Sequence, residues 1–531
     1  MTWSSMLKIV VAGLAGLSLA SPIAQVNLRR GGKVTYHPNA ERADAVKEAF
    51  QRGWDGYYKY AFPHDSLRPV TNGYEDDRNG WGASAIDAFS TALVMGNKEV
   101  VKQILDYVPK INFDQTSTEV SLFETTIRYL GGLLSAYDLI KGPAKGLSKD
   151  QKLIDSILEQ ATRLADNLKV GFDTPSGIPD NTLFFGPPRT NNSTSNGIAT
   201  IGTLVLEWTR LSDLTGNPEY AKLSQKAEEY LLNPQPALGE PWPGLIGTNV
   251  DIATGKFLDG YGGWVGGDDS FYEYLIKMYL YDPERFAHYK DRWILAVDSS
   301  IEHLASHPTT RPELTFLAMF NNQTLMFVSQ HLACFDGGNF ILGGLTLDEP
   351  RYVEFGLELT AACRATYAAT ETKIGPESFR WQDNRLDPSA PNNKPAPAAQ
   401  AAFYDEAGFW IDSSAYVLRP EVIESYYYAY RATGDPKYQE WSWEAFVAIN
   451  ATTSVGSGFS SISDVNAPHG GSFTDFQESF LFAEVMKYAY LIQAEDEDWQ
   501  VKADHTNKFV YNTECHPIAI PGGGERRAKK A

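Results

Sequence analysis

Two carboxylate side chains, Glu421 and Glu424, stand one helical turn apart at the start of an apolar, aromatic segment, LRPEVIESYYYAYRATGDPKY, residues 418–438. Helix chemistry explains part of this placement, because proline suits the first turn and an acid there meets the positive end of the helix dipole. One such glutamate, taken alone, would be assigned to capping. The same placement recurs along the chain, and capping does not explain the recurrence.

Polar and charged residues stand repeatedly at or near the start of the most apolar helical segments. Several lie beyond the first turn, and a glutamate among Phe, Leu and Tyr residues requires a polar partner. If these segments line one barrel, their starts converge at one end and the acids form a ring around a central cavity. The residues concerned are Asp87, Glu119, Glu124, Arg128, Asp268, Asp269, Glu273, His331, Asp336, Glu421, Glu424, Glu478 and Glu484.

Several carboxylates, an arginine and aromatic faces in one acidic cavity suit the hydrolysis of a glycosidic bond. That reaction needs one carboxyl group to protonate the leaving oxygen and a second one to activate water or attack the sugar. Aromatic rings offer flat faces to sugar C–H groups, and oxygen ligands suit a hard cation such as calcium. The sequence contains no HExxH, GxSxG, P-loop or nucleophilic cysteine motif.

Helical hairpins are the elements that must position these residues. An apolar helical run, a short turn and a second run recur, because Gly or Asp ends one helix and Pro blocks its continuation. The pattern predicts about seven hairpins, although the last run has only its first helix. The irregular period favours a closed all-α (α/α)7 barrel over an open solenoid. The clearest hairpins span residues 204–232, 272–297, 341–367 and 423–449.

Long segments with weak helical signals separate some of the hairpins. Residues 384–402 and 453–475 are too long for simple connectors, so we expect them to be functional or mobile. We see no domain boundary inside the mature chain. The predicted organisation is one barrel domain over residues 34–520 and a disordered basic tail over residues 521–531.

The composition and the N-terminus constrain location and partners. The 531 residues are 43% hydrophobic and carry a formal net charge of -20. This balance indicates a globular protein and argues against nucleic acid or an anionic membrane as a partner. Residues 1–20 predict a cleaved signal peptide, with an uncleaved anchor as the alternative. We expect no membrane span after cleavage and a location in the secretory pathway, in the Golgi or endoplasmic-reticulum lumen, or outside the cell.

Such a location would expose the chain to oxidation and N-glycosylation. Three cysteines, Cys334, Cys363 and Cys515, allow at most one disulfide bond within the chain. Glycosylation sequons start at Asn191, Asn192, Asn322 and Asn450.

Long motifs occur in order along the chain: NGWGASAIDAFSTALVMG, VSLFETTIRYLGGLLSAY, GGDDSFYEYLIKMYL, HLACFDGG, LRPEVIESYYYAYRATGDPKY, ESFLFAEVMKYAY and VYNTECHPI. With them the chain resembles glycoside hydrolase family 47, the class I α-1,2-mannosidases, over nearly all of its mature length. The resemblance implies a seven-hairpin α/α barrel and removal of terminal α-1,2-linked mannose from high-mannose N-glycans with inversion. It also implies a need for Ca2+.

The resemblance assigns catalytic roles to three carboxyl groups. Glu421 matches the general base, whereas Glu124 and Asp269 match two acids, either of which could deliver the proton through a water. Thr513 matches a calcium ligand that binds by its carbonyl and hydroxyl, with water completing the shell. The matches to the sugar subsite are Arg128, His331, Arg419, Pro420, Glu424, Phe480, Glu484 and Glu514.

The cysteines and one glycine carry further expectations. Cys334 and Cys363 match the family's disulfide pair, with buried free thiols as the alternative. Cys515 stands where the family usually has alanine, and we expect harmless packing there. Gly267 stands two residues before Asp269, where endoplasmic-reticulum members that cleave one mannose carry arginine, so it resembles the more broadly trimming Golgi and secreted members.

Two other functions compete with that of a monomeric, secretory mannosidase. One is a glycan-binding quality-control homologue with the same fold and weak or no hydrolysis. The other is a helical scaffold that binds proteins, which would leave the ring of acids unexplained. The full set of matched catalytic positions favours the enzyme.

Overall fold

The computed structural model describes residues 34–523, so the predicted signal peptide and residues 524–531 of the predicted tail lie outside the described part. Helices dominate that part. Their bounds are α1 Ala40–Tyr60, α2 Ala83–Val94, α3 Lys98–Tyr107, α4 Leu122–Thr125, α5 Gly131–Lys141, α6 Gln151–Leu168, α7 Ile198–Gly202, α8 Val205–Thr215, α9 Glu219–Leu232, α10 Asp269–Tyr281, α11 Ala287–Ser299, α12 Phe335–Leu347, α13 Pro350–Ala369, α14 Ala401–Ala407, α15 Glu421–Thr433, α16 Pro436–Thr453 and α17 Met486–Leu491.

Inner helices close into a ring around a central axis. In order, α2 contacts α5, α5 contacts α8, α8 contacts α10, α10 contacts α12, α12 contacts α15 and α15 contacts α17. The π-helical segment Leu481–Val485, which leads into α17, returns to α2 and completes the circle. Every residue of α2 is buried, as expected of a helix surrounded on all sides. The predicted α/α barrel is confirmed.

Outer helices pack behind the inner ones as hairpin partners. α3, α6, α9, α11, α13 and α16 each pair with the inner helix that precedes them, and α1 pairs with α17. The turns follow the predicted chemistry. Gly216 and Gly434 end α8 and α15 in the left-handed region, at φ 73° and 68°. Pro436 then begins α16, because its fixed φ suits a first helical turn.

Short antiparallel strands occupy many of the connections that lead into inner helices. The last two strands form a hairpin whose turn, residues 512–516, reaches inner-helix residues. The strands are β1 Ser66–Arg68, β2 Gly73–Glu75, β3 Val120–Ser121, β4 Thr182–Phe184, β5 Arg189–Thr190, β6 Ser195–Gly197, β7 Asn249–Asp251, β8 Tyr261–Gly262, β9 Ala305–Ser306, β10 Phe316–Leu317, β11 Met319–Asn321, β12 Thr324–Met326, β13 Val328–Gln330, β14 Ser378–Arg380, β15 Trp410–Ser413, β16 Ser454–Val455, β17 Gly458–Phe459, β18 Phe509–Tyr511 and β19 Pro517–Ala519.

One disulfide bond, Cys334–Cys363, ties the residue before α12 to α13. The third cysteine, Cys515, is buried and free. Within residues 34–523, no helix combines the length and the apolar character that crossing a membrane requires.

Candidate active site

A cavity of about 320 Å³ opens where the inner helices begin. It carries the predicted catalytic residues, the predicted metal ligand and every predicted sugar-contacting residue except His331. Two of these residues, Arg128 and Glu484, lie in π-helical segments, which are often found at functional sites. The polar lining consists of Glu124, Arg128, Thr200, Asp269, Ser270, Glu273, Arg419, Glu421, Glu424, Glu484, Thr513 and Glu514.

Glu421 is the first residue of α15 and keeps its negative charge through its partners. His331 Nδ1 lies 2.7 Å from its Oε2, and His331 Nε2 lies 2.7 Å from the Tyr367 hydroxyl. With a proton on Nδ1, His331 donates a hydrogen bond to Glu421. Burial opposes ionisation of Glu421, but His331 and the charge of Arg419 outweigh it and lower the pKa of this carboxyl. His331 therefore stands behind Glu421 and off the cavity wall.

Asp269, the first residue of α10, has the opposite electrostatic setting. Burial raises its pKa to about 7, although a hydrogen bond from the Ser270 backbone N–H partly opposes the shift. The neighbouring charges of Glu273 and Glu421 contribute to the same increase. Near neutral pH this carboxyl therefore retains a proton for much of the time, whereas Glu421 does not. Groups with pKa values driven apart in one cavity are typical of acid and base pairs in enzymes.

Glu124 is held as an anion by two arginines. Arg128 Nε lies 2.8 Å from its Oε2 and Arg78 Nε lies 3.6 Å from the same atom. Burial favours the neutral acid, but these two cations lower the pKa of Glu124 below its ordinary value. Arg128 also pairs with Glu514 at 2.9 Å and with buried Asp87 at 3.6 Å. Glu124 is therefore a poorer proton donor than Asp269.

A cation–π contact and a bifurcated hydrogen bond shape the rest of the wall. The guanidinium of Arg128 lies 5.5 Å from the centre of the Phe480 ring, a cation–π contact. Both carboxylate oxygens of Glu377 accept from Nε of Arg419 at 2.9 Å, which fixes the arginine beside Pro420. A planar aromatic face beside charged donors suits a sugar ring.

A second group of acids, Glu424, Glu484 and Glu514, lines the same cavity as Thr513, and Glu514 is the next residue of its turn. Burial, together with nearby negative charge, raises the pKa of Glu424 and of Glu514 to about 8. Burial and the charges of Glu514, Glu421 and Glu424 also raise the pKa of Glu484. Within the described chain, Glu514 Oε2 is buried without a hydrogen-bond partner. Too little positive charge lies near these three acids for all of them to be ionised at the same time.

This donor set fits calcium, which the family resemblance implies. Oxygen atoms of Thr513 and of several carboxyl groups are the hard ligands that calcium prefers, and a divalent cation would favour the ionised acids. No three His, Cys, Asp or Glu side chains in residues 34–523 converge closely enough to enclose a metal by themselves. A site built on Thr513 with water, and acids around the water, is consistent with both observations.

No individual role was predicted from the sequence for three residues that the structure places in or behind the cavity wall, namely Glu273, Glu377 and Tyr367. Glu273 stands one turn after Asp269 and lines the cavity, and its i+4 spacing was the available signal. Glu377 and Tyr367 support Arg419 and His331 from distant segments, so no local pattern marks them. Other members of the expected ring of acids do not face the cavity. Glu119 is exposed, and Asp268 and Asp336 are buried away from the lining.

The fold and the site define a glycoside hydrolase of the α/α-barrel type, with two differently protonated carboxyl groups facing one cavity. The chain belongs to glycosyl hydrolase family 47, whose sequence profile matches residues 49–520.

Curated relatives and a solved structure agree with this assignment. The chain is 57% identical over 514 residues to a mannosyl-oligosaccharide α-1,2-mannosidase of Penicillium citrinum, covering 96% of this chain and 98% of that protein. It is 56% identical over 509 residues to the mannosyl-oligosaccharide α-1,2-mannosidase 1B of Aspergillus oryzae, covering 96% and 98%. The structure of an α-1,2-mannosidase from Trichoderma reesei matches with a TM-score of 0.89 at 56% identity, covering 91% of this chain and 99% of that one.

Proposed function

We propose that this protein hydrolyses terminal α-1,2-linked mannose residues of high-mannose N-glycans, with inversion at the anomeric carbon. The placement of Asp269 and Glu421 in the wall of one cavity carries the proposal, because an inverting glycosidase needs two carboxyl groups, one protonated and one ionised. The opposite directions of their pKa shifts agree with these two roles. The names of the relatives support the bond and the sugar.

Asp269 is the proposed acid and Glu421 the proposed base. Asp269 transfers its proton to the glycosidic oxygen as the bond to the anomeric carbon breaks. Glu421 accepts a proton from the water that attacks that carbon from the opposite face, so the released mannose is the β-anomer. Arg128 and Arg78 hold Glu124 as an anion. Glu124 therefore helps to orient the substrate in the cavity and does not donate the proton.

Calcium is the proposed cofactor. Thr513 would hold it through its carbonyl and hydroxyl, and Glu424, Glu484 and Glu514 would hold the surrounding waters. A calcium ion held there would supply the positive charge that binds hydroxyl groups of the terminal mannose. Arg128, Arg419, Pro420 and Phe480 contact the same sugar, because they form the remaining wall of the cavity.

Gly267 supports broad trimming of the glycan. A Cβ built at this position meets no atom within 4 Å, so the space beside Asp269 is open. A long side chain would enter that space, and glycine leaves it free for different branches. The glycine has a φ of 100°, which other residues rarely adopt.

Location, processing and assembly complete the proposal. A signal peptide over residues 1–20 directs the chain to the endoplasmic-reticulum or Golgi lumen or outside the cell. There the protein meets glycoproteins as a monomer and is itself N-glycosylated. The Cys334–Cys363 disulfide supports this compartment, because such bonds persist under oxidising conditions.

Mannose release from a high-mannose N-glycan tests the function. We expect free mannose with calcium, loss of release with a chelator, and recovery when calcium is added back. Proton NMR of early product should show β-mannose before mutarotation. Initial α-mannose would contradict inversion. If no mannose is released with calcium present, a glycan-binding homologue would be the better interpretation.

A further inference from the structure

Three buried polar side chains from separate elements meet behind Thr513. They are Glu207 on α8, Tyr274 on α10 and Asn512 at the start of the turn between β18 and β19. Their relative exposures are 0%, 1% and 0%. None of them lines the cavity, so they do not contact a bound sugar.

A directed chain of hydrogen bonds leads from the turn into the barrel wall. The backbone N–H of Thr513 donates to the Tyr274 hydroxyl at 3.2 Å, and that hydroxyl donates to Oε1 of Glu207 at 2.7 Å. Hydrogen bonds linked in this way polarise and strengthen one another.

The Asn512 side chain closes the turn from the other side. Its Oδ1 accepts from the backbone N–H groups of Glu514 and His516 at 3.0 and 2.8 Å. Its amide nitrogen donates to Oε1 of Glu207 at 2.8 Å and to the carbonyl of Ile127 at 2.9 Å. Both N–H donors and both oxygen lone pairs of this amide are therefore used in hydrogen bonds that hold the turn.

The turn needs this support because its backbone is strained. Cys515, which has a side chain, adopts a φ of 57°. Such conformations cost free energy and persist only where the surrounding structure enforces them. Thr513 lies two residues before Cys515 in the same turn, and Tyr274 holds its backbone N–H, so the same contacts restrict the backbone that carries its carbonyl and hydroxyl.

We propose that Glu207, Tyr274 and Asn512 are positioning residues that orient Thr513 and thereby set the affinity of the site for calcium. The inference rests on the proposed calcium site. Partners that orient a metal ligand without touching the metal commonly change metal affinity by 10–100-fold when they are removed. The network acts on the ion through Thr513 and leaves the acid and the base unaltered.

Tyr274→Phe tests the network with the loss of one hydroxyl group. The full chain is stripped with a chelator, and calcium binding is measured by titration calorimetry with calcium alone. We expect the dissociation constant to rise about 10–100-fold. Tyr281→Phe is the matched control, because Tyr281 lies on the same helix, is equally buried and donates to Asp213 at 2.6 Å. Its calcium affinity should equal that of the native chain.

A pair of changes at Glu207 separates positioning from general structure. Glu207→Gln keeps an acceptor oxygen for Tyr274 and Asn512, whereas Glu207→Leu removes it. Burial raises the pKa of Glu207 to about 8, so a neutral amide resembles its prevailing form. We expect near-native calcium affinity for the glutamine variant and a 10–100-fold loss for the leucine variant. Calcium-dependent shifts of thermal unfolding supply a second readout.

The outcomes distinguish this inference from the proposed function. If the native chain does not bind calcium, the calcium part of the proposed function fails and this inference fails with it. If the native chain binds calcium but Tyr274→Phe and Glu207→Leu bind it equally well, only the positioning role is overturned. Loss of affinity in both variants, with retention in Tyr281→Phe and Glu207→Gln, supports it.

Discussion

Single residues in this cavity acquire different chemistry from different neighbours. Asp269 and Glu421 each begin an inner helix, and Asp269 is half-buried whereas Glu421 is buried. Their pKa values move in opposite directions. The reason is that the two carboxyl groups have different neighbours. Glu421 has His331 at 2.7 Å and the charge of Arg419 nearby, whereas Asp269 has acids beside it. Burial alone would have raised both pKa values.

Removing the base should nearly abolish turnover. For Glu421→Gln we expect kcat to fall about 10²–10⁴-fold, because a positioned general base contributes roughly that factor. KM should change little, since the amide keeps the size of the side chain. The matched control is Glu440→Gln, an exposed glutamate on α16 that pairs with Arg42 at 2.8 Å. Near-native turnover in Glu421→Gln would exclude it as the base.

The pH dependence of kcat/KM should follow the two carboxyl groups. Activity requires protonated Asp269, so it should fall as the pH rises through about 7. Activity also requires ionised Glu421, whose pKa is lowered, so the acidic limb should lie below the ordinary glutamate range. The measurement is an initial-rate profile at saturating calcium. A rate that stays constant well above pH 7 would contradict the role of Asp269.

At the scale of elements, close packing joins the start of α5 to the turn that presents Thr513. Gly131 is the first residue of α5 and follows the π-helical segment that carries Arg128. A Cβ at this position would lie 2.6 Å from the amide nitrogen of Asn512. The φ of Gly131 is not in the left-handed region, so its backbone conformation does not require glycine. Glycine is needed here because a side chain would not fit.

Gly131→Ala should destabilise the protein although alanine is the better helix former. The helix preference favours alanine by about 1 kcal/mol, but overpacking a filled site costs about 1–3 kcal/mol and should prevail. Urea unfolding measures the change. Gly146→Ala is the control, because a Cβ there meets no atom within 4 Å. An unchanged or higher stability of Gly131→Ala would show that Asn512 moves aside without cost.

At the scale of the whole molecule, the barrel closes with helices from both ends of the described chain. The π-helical segment Leu481–Val485 and α17 together form the seventh inner helix, and the outer helix that packs behind them is α1. Phe50 and Trp54 of α1 pack edge-on against Phe482, at ring distances of 5.5 and 6.3 Å. Closure therefore depends on contacts between residues more than 400 positions apart.

Trp54→Ala should weaken this closure. Trp54 is 1% exposed, and its indole N–H donates to Gln103 at 2.8 Å. Removing a buried tryptophan side chain costs about 3–5 kcal/mol, because it leaves a cavity. Thermal and urea unfolding should show a marked loss of stability. Leu295→Ala on α11, 44% exposed, should change little. Equal behaviour of the two variants would argue against a closing role for α1.

The sequence by itself determined the hairpins, because their signals are local. Glycine or aspartate at a helix end, proline at the next start and apolar periodicity all lie within one short segment. The acids at the helix starts could be seen in the same way, and long ordered motifs indicated the family. The seventh hairpin could not be completed from its own segment, since its outer helix is α1.

Only the tertiary structure decided which acids share the cavity and which of them keeps a proton. Glu119 stood in the expected ring and is exposed, whereas Glu377 gave no local signal and holds Arg419. The Glu207–Tyr274–Asn512 network joins positions up to 305 residues apart. Burial and neighbouring charge set each pKa, and the tertiary fold sets each contact. Both depend on the space around a residue rather than on the residues beside it in the chain.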